Sequence, residues 1–296
     1  MPAETWSVRR TADGTPTLCH PGHGETCHSR VGAWTEARER YVLGCRVADG
    51  LARDDPRPFA VLDVGTGPGM NLAALAACAA EAPGSPRLAV TSLESDPTVL
   101  EAGRRLVADA SLWGDGELAR EAAAWLAVVT GALDSARAAG GAPVEFGEAG
   151  RLSLLVGDGR ETLPPREETY DAVFLDPFSP AVDGSLWEPE FLRVLARRLR
   201  PGGWLATYSA ASRVRARLAA CGLRVGATAA LGSKAEGTLA SPDREPPPLA
   251  PRQRRRLGRR VPALCAELGW PIPPLFGAGS GGFPFGLELE SGRKNA

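Results

Sequence analysis

The stretch VLDVGTGPGMNLAAL, residues 61–75, constrains the fold more than any other part of the chain. A short apolar run passes into three glycines at alternate positions, Gly65, Gly67 and Gly69, and then into an alanine- and leucine-rich segment. Strand, tight turn and helix in that order form the opening unit of an open α/β sheet, and the glycines let a ligand approach bare backbone. The alternation continues downstream. Strands are expected at 59–64, 88–93, 152–156, 172–175, 204–208, 223–227 and 237–240, and helices at 71–81, 97–110, 115–138, 188–199 and 212–220. Short apolar runs alternating with helices imply a mostly parallel sheet covered on both faces, an α/β/α sandwich of seven strands. Upstream, residues 5–9 and 14–20 flank Ala12-Asp13-Gly14 and read as a hairpin, followed by one helix over 32–48. Downstream, 242–252 is too proline-rich for regular structure, and an arginine tract follows. The expected organisation is a hairpin and helix over 1–50, the sheet domain over 51–241, and a Pro/Arg-rich extension over 242–296.

Open α/β sheets bind ligands at the carboxyl ends of their strands. Four acids are expected at that rim. Asp63 ends the first strand, Glu94 the second, Asp158 (followed by Gly159) the third, and Asp176 the fourth. An acid in the position of Glu94 commonly holds ribose hydroxyls. Helix capping is the other role open to Glu94 and Asp158. The G-x-G-x-G spacing differs from the G-x-G-x-x-G of dinucleotide enzymes, whose helix N-terminus takes a pyrophosphate.

The second informative segment is YDAVFLDPFSPAVDGSLWEPEFL, residues 170–192. Its strand delivers Asp176 to the rim, with Pro177 and Phe178 next. The Asp-Pro-Phe loop resembles the Asp-Pro-Pro-aromatic loops that many amino-group methyltransferases carry in this position; methyl transfer to an amine needs a free lone pair, yet an alkylamine, with a pKa of about 10, is mostly protonated near neutrality. A carboxylate and a neighbouring carbonyl can orient the amine and take its proton. Asp176 and the Pro177 carbonyl suit that work, and Phe178 suits stacking on a nucleobase. The alternatives are a turn-capping Asp176 and a core Phe178.

These motifs resemble the methyltransferase domain of MnmC, a bifunctional tRNA-modifying protein, and its stand-alone relatives. The resemblance begins at TADGTPTLCHPGHGETCHSRVGAWTEARERYV, which carries a T-x-D-G-[ST]-x-T-L hairpin and an H-S-x-x-G-A-x-x-E motif. It continues through DVGTGPGMNL and is clearest at FLDPFSPAVDGSLWEPEFLRVLARRLRPGGWLATYS, covering roughly residues 5–240. It implies a class I, Rossmann-like S-adenosylmethionine-dependent methyltransferase acting on the exocyclic amine of 5-aminomethyluridine at the tRNA wobble position. Asp176 matches the family's base. Asp63, Gly65, Gly67, Gly69, Asn71, Glu94, Asp158 and Gly159 fall on its cofactor motifs, and His28 falls on a family motif near substrate or cofactor. This chain departs from the family at Pro177, where the fused enzymes usually have glycine, and at Met70, where leucine is common. No FAD-oxidase domain follows within these residues, so either a separate FAD-dependent oxidase or another route to the aminomethyl group is expected. Two other readings use the same fold: a spermidine-synthase-like aminopropyltransferase, whose loop is usually G-G-G-x-G, or a small-molecule amine methyltransferase. A non-catalytic RNA-binding protein is a further one.

Charge and cysteine content narrow the partners. The formal net charge is −1, so no polyanion partner follows from the total. Locally, Arg252, Arg254, Arg255, Arg256, Arg259 and Arg260 form a dense tract, with Arg213, Arg215 and Arg217 elsewhere; both groups suit tRNA phosphates or, equally, a solvated face. The six cysteines lack C-x-x-C spacing, which fits reduced thiols in the cytoplasm. His20, His23 and His28 lie beside Cys19 and Cys27 at spacings that zinc can use. The family hairpin needs no metal, and none is expected. Neither a signal peptide nor a membrane span is expected.

Overall fold

The computed structural model describes residues 5–82, 88–232 and 236–277. Strands β1 (Ser7–Arg10) and β2 (Pro16–Cys19) pair antiparallel as the expected hairpin. Asp13, in its turn, accepts from the Thr11 and Thr15 hydroxyls through Oδ1, and from the Thr35 amide and hydroxyl through Oδ2. The turn is thereby bonded to the helical segment that follows.

That segment is not one helix over 32–48. Helix α1 (Ala33–Glu36) widens into a π-helical stretch, Ala37–Leu43; Arg46 then takes a left-handed conformation with φ 53°, and α2 (Val47–Leu51) begins. Packing explains the break. At 100° per residue, a straight helix would point residue 47 away from residues 34, 37 and 41. The interrupted path buries Trp34, Ala37, Tyr41 and Val47 together.

The sheet domain follows with β3 (Phe59–Val64), α3 (Met70–Glu81), β4 (Leu88–Glu94), α4 (Thr98–Ala108), α5 (Glu117–Ala138), β5 (Val144–Glu145), β6 (Gly150–Val156) and α6 (Gly159–Thr162). It continues with β7 (Tyr170–Leu175), α7 (Pro189–Arg198), β8 (Leu199–Thr207), α8 (Ser212–Ala220), β9 (Arg224–Ala227), β10 (Thr238–Ser241) and α9 (Pro251–Leu268). Strand order is β5-β6-β4-β3-β7-β8-β10-β9. The five central strands are parallel, and β10 runs antiparallel to both β8 and β9. Among the described residues the sheet therefore has eight strands, one more than expected. The extra strand is β5, a two-residue antiparallel edge on β6, too short to leave a periodic signal.

β3 lies wholly buried between β4 and β7, and strand order reverses there, which opens a crevice above its carboxyl end. One apolar layer joins α3, α4, α5 and the N-terminal helices to one sheet face; a second joins α7 and α8 to the other. Gly69 caps α3 with φ 97°. A Cβ at Gly69 would stand 3.0 Å from Val129 and 3.1 Å from Leu133, so its absence lets α5 press on the loop.

The arginine tract, expected within an extension, lies on α9. That helix packs Leu257, Val261 and Cys265 against Ala216, Ala219 and Ala220 of α8. The Gly/Pro-rich tail from 278 lies outside the described residues. No helix among the described residues is long and apolar enough to cross a membrane.

Candidate active site

A cavity of about 620 Å³ opens above the carboxyl ends of β3, β4, β6 and β7, and the N-terminal hairpin roofs it. The glycine loop forms one wall. It is tied to β4 by the Gly65 and Thr66 amides, each donating to the Leu93 carbonyl at 3.1 Å. Beneath it, the Ser92 hydroxyl donates to Asp63 at 2.7 Å and pairs with the Thr66 hydroxyl at 2.6 Å. Gly65 has φ 92°, and a Cβ there would sit 2.8 Å from the Asp176 carbonyl oxygen. Only glycine lets the two rim loops approach that closely.

Glu94 projects from the end of β4 into the cavity. Its Oε2 accepts from the Gly67 amide and its Oε1 from the Asp96 amide, both at 2.9 Å. Two amide bonds leave lone pairs on a carboxylate that can accept about four. Burial pushes the Glu94 carboxyl up to about 7, against the pull of those amides.

Asp176 sits across the cavity at the end of β7. Its Oδ1 accepts from the Tyr41 hydroxyl at 2.5 Å and its Oδ2 from the Asn71 side-chain amide at 2.9 Å. Burial raises its carboxyl well above the usual carboxylate range; the Glu36 charge adds to this, while the two donors oppose it. Burial and the Asp176 charge push the Tyr41 phenol up, so Tyr41 stays protonated as a donor. The Pro177 carbonyl accepts from the Tyr208 hydroxyl at 2.9 Å.

Phe178 is not core. It joins an aromatic cluster at the cavity mouth. Its ring lies 4.5 Å from His23 and 5.5 Å from His20, both edge-on, and 6.3 Å from Trp6, near parallel. His20 and His23 stack at 3.8 Å. Glu25, in the same hairpin loop, accepts from the Ser179 amide at 3.1 Å and its hydroxyl at 2.5 Å. The Trp6 indole N–H donates to Thr98 at 2.9 Å, which fastens the roof on its other side. His28 lines the cavity with its Nδ1 3.1 Å from the Thr17 hydroxyl. Among the described residues, no three His, Cys, Asp or Glu side chains converge as metal ligands.

Of the residues expected from sequence, Gly65, Gly67, Glu94, Gly159, Asp176, Pro177, Phe178 and His28 meet on the cavity wall. Asp63, Gly69, Asn71 and Asp158 stand behind it. Asp63 is fully buried under the glycine loop, and burial pushes its carboxyl up to about 7. Asn71 reaches the site only through Asp176. Asp158 caps α6, accepting from the Arg160 amide at 2.8 Å, and pairs with the Arg160 guanidinium at 2.5 Å. The helix-cap role weighed from sequence is the one its side chain fills here. Sequence reasoning missed Tyr41, Glu25, Trp6, His20 and His23 as site residues. The H-S-x-x-G-A-x-x-E motif that ends at Glu36 was the nearest signal for Tyr41.

The lining suits a ligand with vicinal hydroxyls and a positive charge. Glu25, Glu36, Glu94, Asp96, Asp176 and Asp183 face the cavity, against Arg9 and Arg30. A ribosyl sulfonium such as S-adenosylmethionine meets both requirements, and the volume lies within the ordinary range of small-molecule sites, about 300–1,000 Å³.

Comparison with known proteins agrees. Residues 127–243 match a family described as S-adenosyl-L-methionine-dependent methyltransferase. The crystal structure of MnmC2 from Aquifex aeolicus superposes with a TM-score of 0.70 at 30% identity, covering 86% of this chain and 77% of that one. The bifunctional protein MnmC of tRNA 5-methylaminomethyl-2-thiouridine biosynthesis from Paracidovorax citrulli is 35% identical over 242 residues, 81% of this chain and 36% of its own length. Its counterpart from Aromatoleum aromaticum is 36% identical over 226 residues, 75% of this chain and 33% of its own. The chain thus spans about a third of the length of these curated relatives. With the Aquifex structure matched over most of both chains, this chain belongs to the MnmC methyltransferase family of S-adenosylmethionine-dependent enzymes.

Proposed function

We propose that this chain methylates the exocyclic amine of 5-aminomethyluridine at the wobble position of tRNA. The observation that carries the reading is the pairing of Asp176, a half-buried carboxyl with raised proton affinity, with an aromatic cluster at the mouth of the same acid-lined cavity. An alkylammonium fits the acids, and a nucleobase fits the rings.

When bound, S-adenosylmethionine supplies an electrophilic methyl group for in-line displacement. The chain does the rest. The remaining acceptor lone pairs of Glu94 would take the ribose hydroxyls, and the bare backbone at Gly65 and Gly67 would let the cofactor lie close. Tyr41 and Asn71 hold the Asp176 carboxylate from behind, one donor per oxygen. Asp176 takes one proton from the substrate ammonium, which leaves the nitrogen a lone pair. Its raised proton affinity narrows the gap to an amine of pKa about 10, so the transfer is less uphill than to an exposed aspartate. The Pro177 carbonyl keeps a second lone pair beside its Tyr208 bond and orients one of the two remaining N–H bonds. Glu25 locks the roof to Ser179, holding His20 and His23 against Phe178 and excluding water. An FAD-dependent oxidase, outside residues 1–296, would uncover the free amine. The working compartment is the cytoplasm, where tRNA is.

Radiolabelled methyl transfer from S-adenosylmethionine to tRNA carrying unmethylated aminomethyluridine tests this reading; a free polyamine labelled in place of tRNA would refute it. Two variants probe its parts. Phe178→Ala should raise KM for tRNA about 5- to 150-fold, since base–aromatic stacking contributes roughly 1–3 kcal/mol, and should leave the affinity for cofactor alone near wild type. An unchanged KM would remove Phe178 from base binding. Tyr41→Phe deletes a donor that stabilises the charged form of Asp176, so the acid limb of the kcat/KM profile should move to higher pH. A uniform loss of rate with an unshifted profile would make Tyr41 merely structural.

A further inference from the structure

The cavity is acidic and the chain carries a net charge of −1, so neither attracts a polyanion. The function proposed above needs one held beside the site. We infer that the outer face of α9 binds the phosphate backbone of the RNA whose base enters the cavity; this rests on that proposed function and identifies where its substrate is gripped.

The helix divides cleanly. Leu257, Val261 and Cys265 are buried against α8, and Arg252, Arg255, Arg256, Arg259 and Arg260 are exposed. At 100° per residue the five arginines cluster opposite the apolar seam, in a stripe about 12 Å long at 1.5 Å per residue. Arg213, exposed at the start of α8, lies beside this helix pair. Most arginines elsewhere are neutralised: fourteen ion pairs among the described residues involve arginines, and none involves these six. An arginine-rich composition explains many arginines. It does not explain why acids accompany them throughout the fold yet α9 has no acid before Glu267.

Position supports the assignment. The Arg256 guanidinium donates to the Ser212 hydroxyl at 3.1 Å, and Ser212 begins α8 four residues after Tyr208, which lines the cavity. Gln253 donates to Glu236 at 2.7 Å, two residues before β10. The N-terminal half of α9 therefore stands at the rim that carries the cavity, where a strand of RNA can touch both. Guanidinium groups suit phosphate because their planar donor forks match its oxygens. They would position the RNA without reading its sequence.

The test is tRNA binding by a triple variant, R255Q/R259Q/R260Q, beside wild type and the control Arg105→Gln, an exposed arginine on α4. The triple variant should bind tRNA at least about tenfold more weakly at physiological salt. Its slope of log affinity against log salt should be shallower by roughly 2, since each phosphate neutralised by the protein adds about 0.7–0.9 to that slope. Its cofactor affinity and far-UV circular dichroism should match wild type, and Arg105→Gln should bind tRNA as wild type does. Unchanged tRNA affinity and salt slope in the triple variant would overturn the inference. So would an unchanged tRNA affinity with lost binding to an acidic protein or to vesicles of anionic lipid. Failure of the proposed function looks different: wild type would bind tRNA and transfer no methyl to it.

Discussion

Asp176→Asn should bind S-adenosylmethionine with near wild-type affinity and lose methyl transfer by about 10²- to 10⁴-fold, the range set by a positioned general base. Asparagine keeps the size and an oxygen that can accept from Tyr41, but it cannot take a proton, and its amide nitrogen would face the Asn71 donor. Because the chemical step is hit and the cofactor wall is not, the loss should fall on kcat. Titration calorimetry for the cofactor beside single-turnover methyl transfer separates the two. Equal losses in both would mean that Asp176 only holds the rim together.

Glu94→Ala should weaken S-adenosylmethionine binding by about 10- to 100-fold or more, since each hydrogen bond to a charged group contributes roughly 1.5–3 kcal/mol. It also strips the Gly67 and Asp96 amides of their acceptor, so part of the loss would come from a loosened glycine loop. Glu94→Gln keeps one acceptor oxygen and should lose less. The carboxyl also predicts a pH dependence. Burial holds Glu94 at about 7 in the folded protein, against 4.5 in its ordinary state. In the role proposed for Glu94 the cofactor would prefer the ionised form, because that form would accept the hydroxyls and face a positive charge. Affinity should therefore be full above about pH 7 and fall as pH drops through that value. Near neutrality, binding should release protons, seen as an observed enthalpy that varies with the ionisation enthalpy of the buffer. No proton release and a flat profile from pH 6 to 8 would contradict the role given to Glu94.

The same raised carboxyls have the opposite effect on the unliganded fold. Asp63 and Glu94 both stand at about 7 when folded, above their unfolded values, so the folded state holds these protons more tightly. Their contribution is fully present below about pH 4 and is lost as pH rises through 7; each tenfold difference in proton affinity between folded and unfolded states amounts to roughly 1.4 kcal/mol. The cofactor-free protein should show this loss in its melting temperature across that window. Cofactor binding should reduce the part due to Glu94, because it favours the ionised form.

What could be read from the sequence was local. Gly65, Gly67 and Gly69 announce their turn within five residues, and Asp176 announces its loop because a buried strand must end where FLDPFSP begins. Glu94 followed from strand counting, since in a parallel sheet every strand ends at the same rim. The rest depended on contacts that no short pattern encodes. Tyr41 reaches Asp176 across 135 residues, and Glu25 reaches Ser179 across 154. His20 and His23, which suggested zinc by spacing, face Phe178 because the hairpin folds back over the strand ends. Asp158 shows the converse. A correctly placed acid at a strand end was claimed by its neighbour Arg160 and by the first turn of α6, a helix with too few residues to leave a periodic signal. The arginine tract was visible at once, but its packing was not, because α9 has only three fully buried apolar anchors in a helix whose first half is mostly arginine.

Whether this cavity methylates the amine of a tRNA nucleoside is decided by nucleoside mass analysis of tRNA after incubation with the protein and methyl-labelled S-adenosylmethionine. The starting tRNA should carry 5-aminomethyluridine at the wobble position. This nucleoside should convert to its N-methylated form, gaining one labelled methyl at that position alone, and Asp176→Asn should suppress the conversion. Label found on other nucleosides, or only on small amines with the wobble nucleoside untouched, would contradict the proposed function.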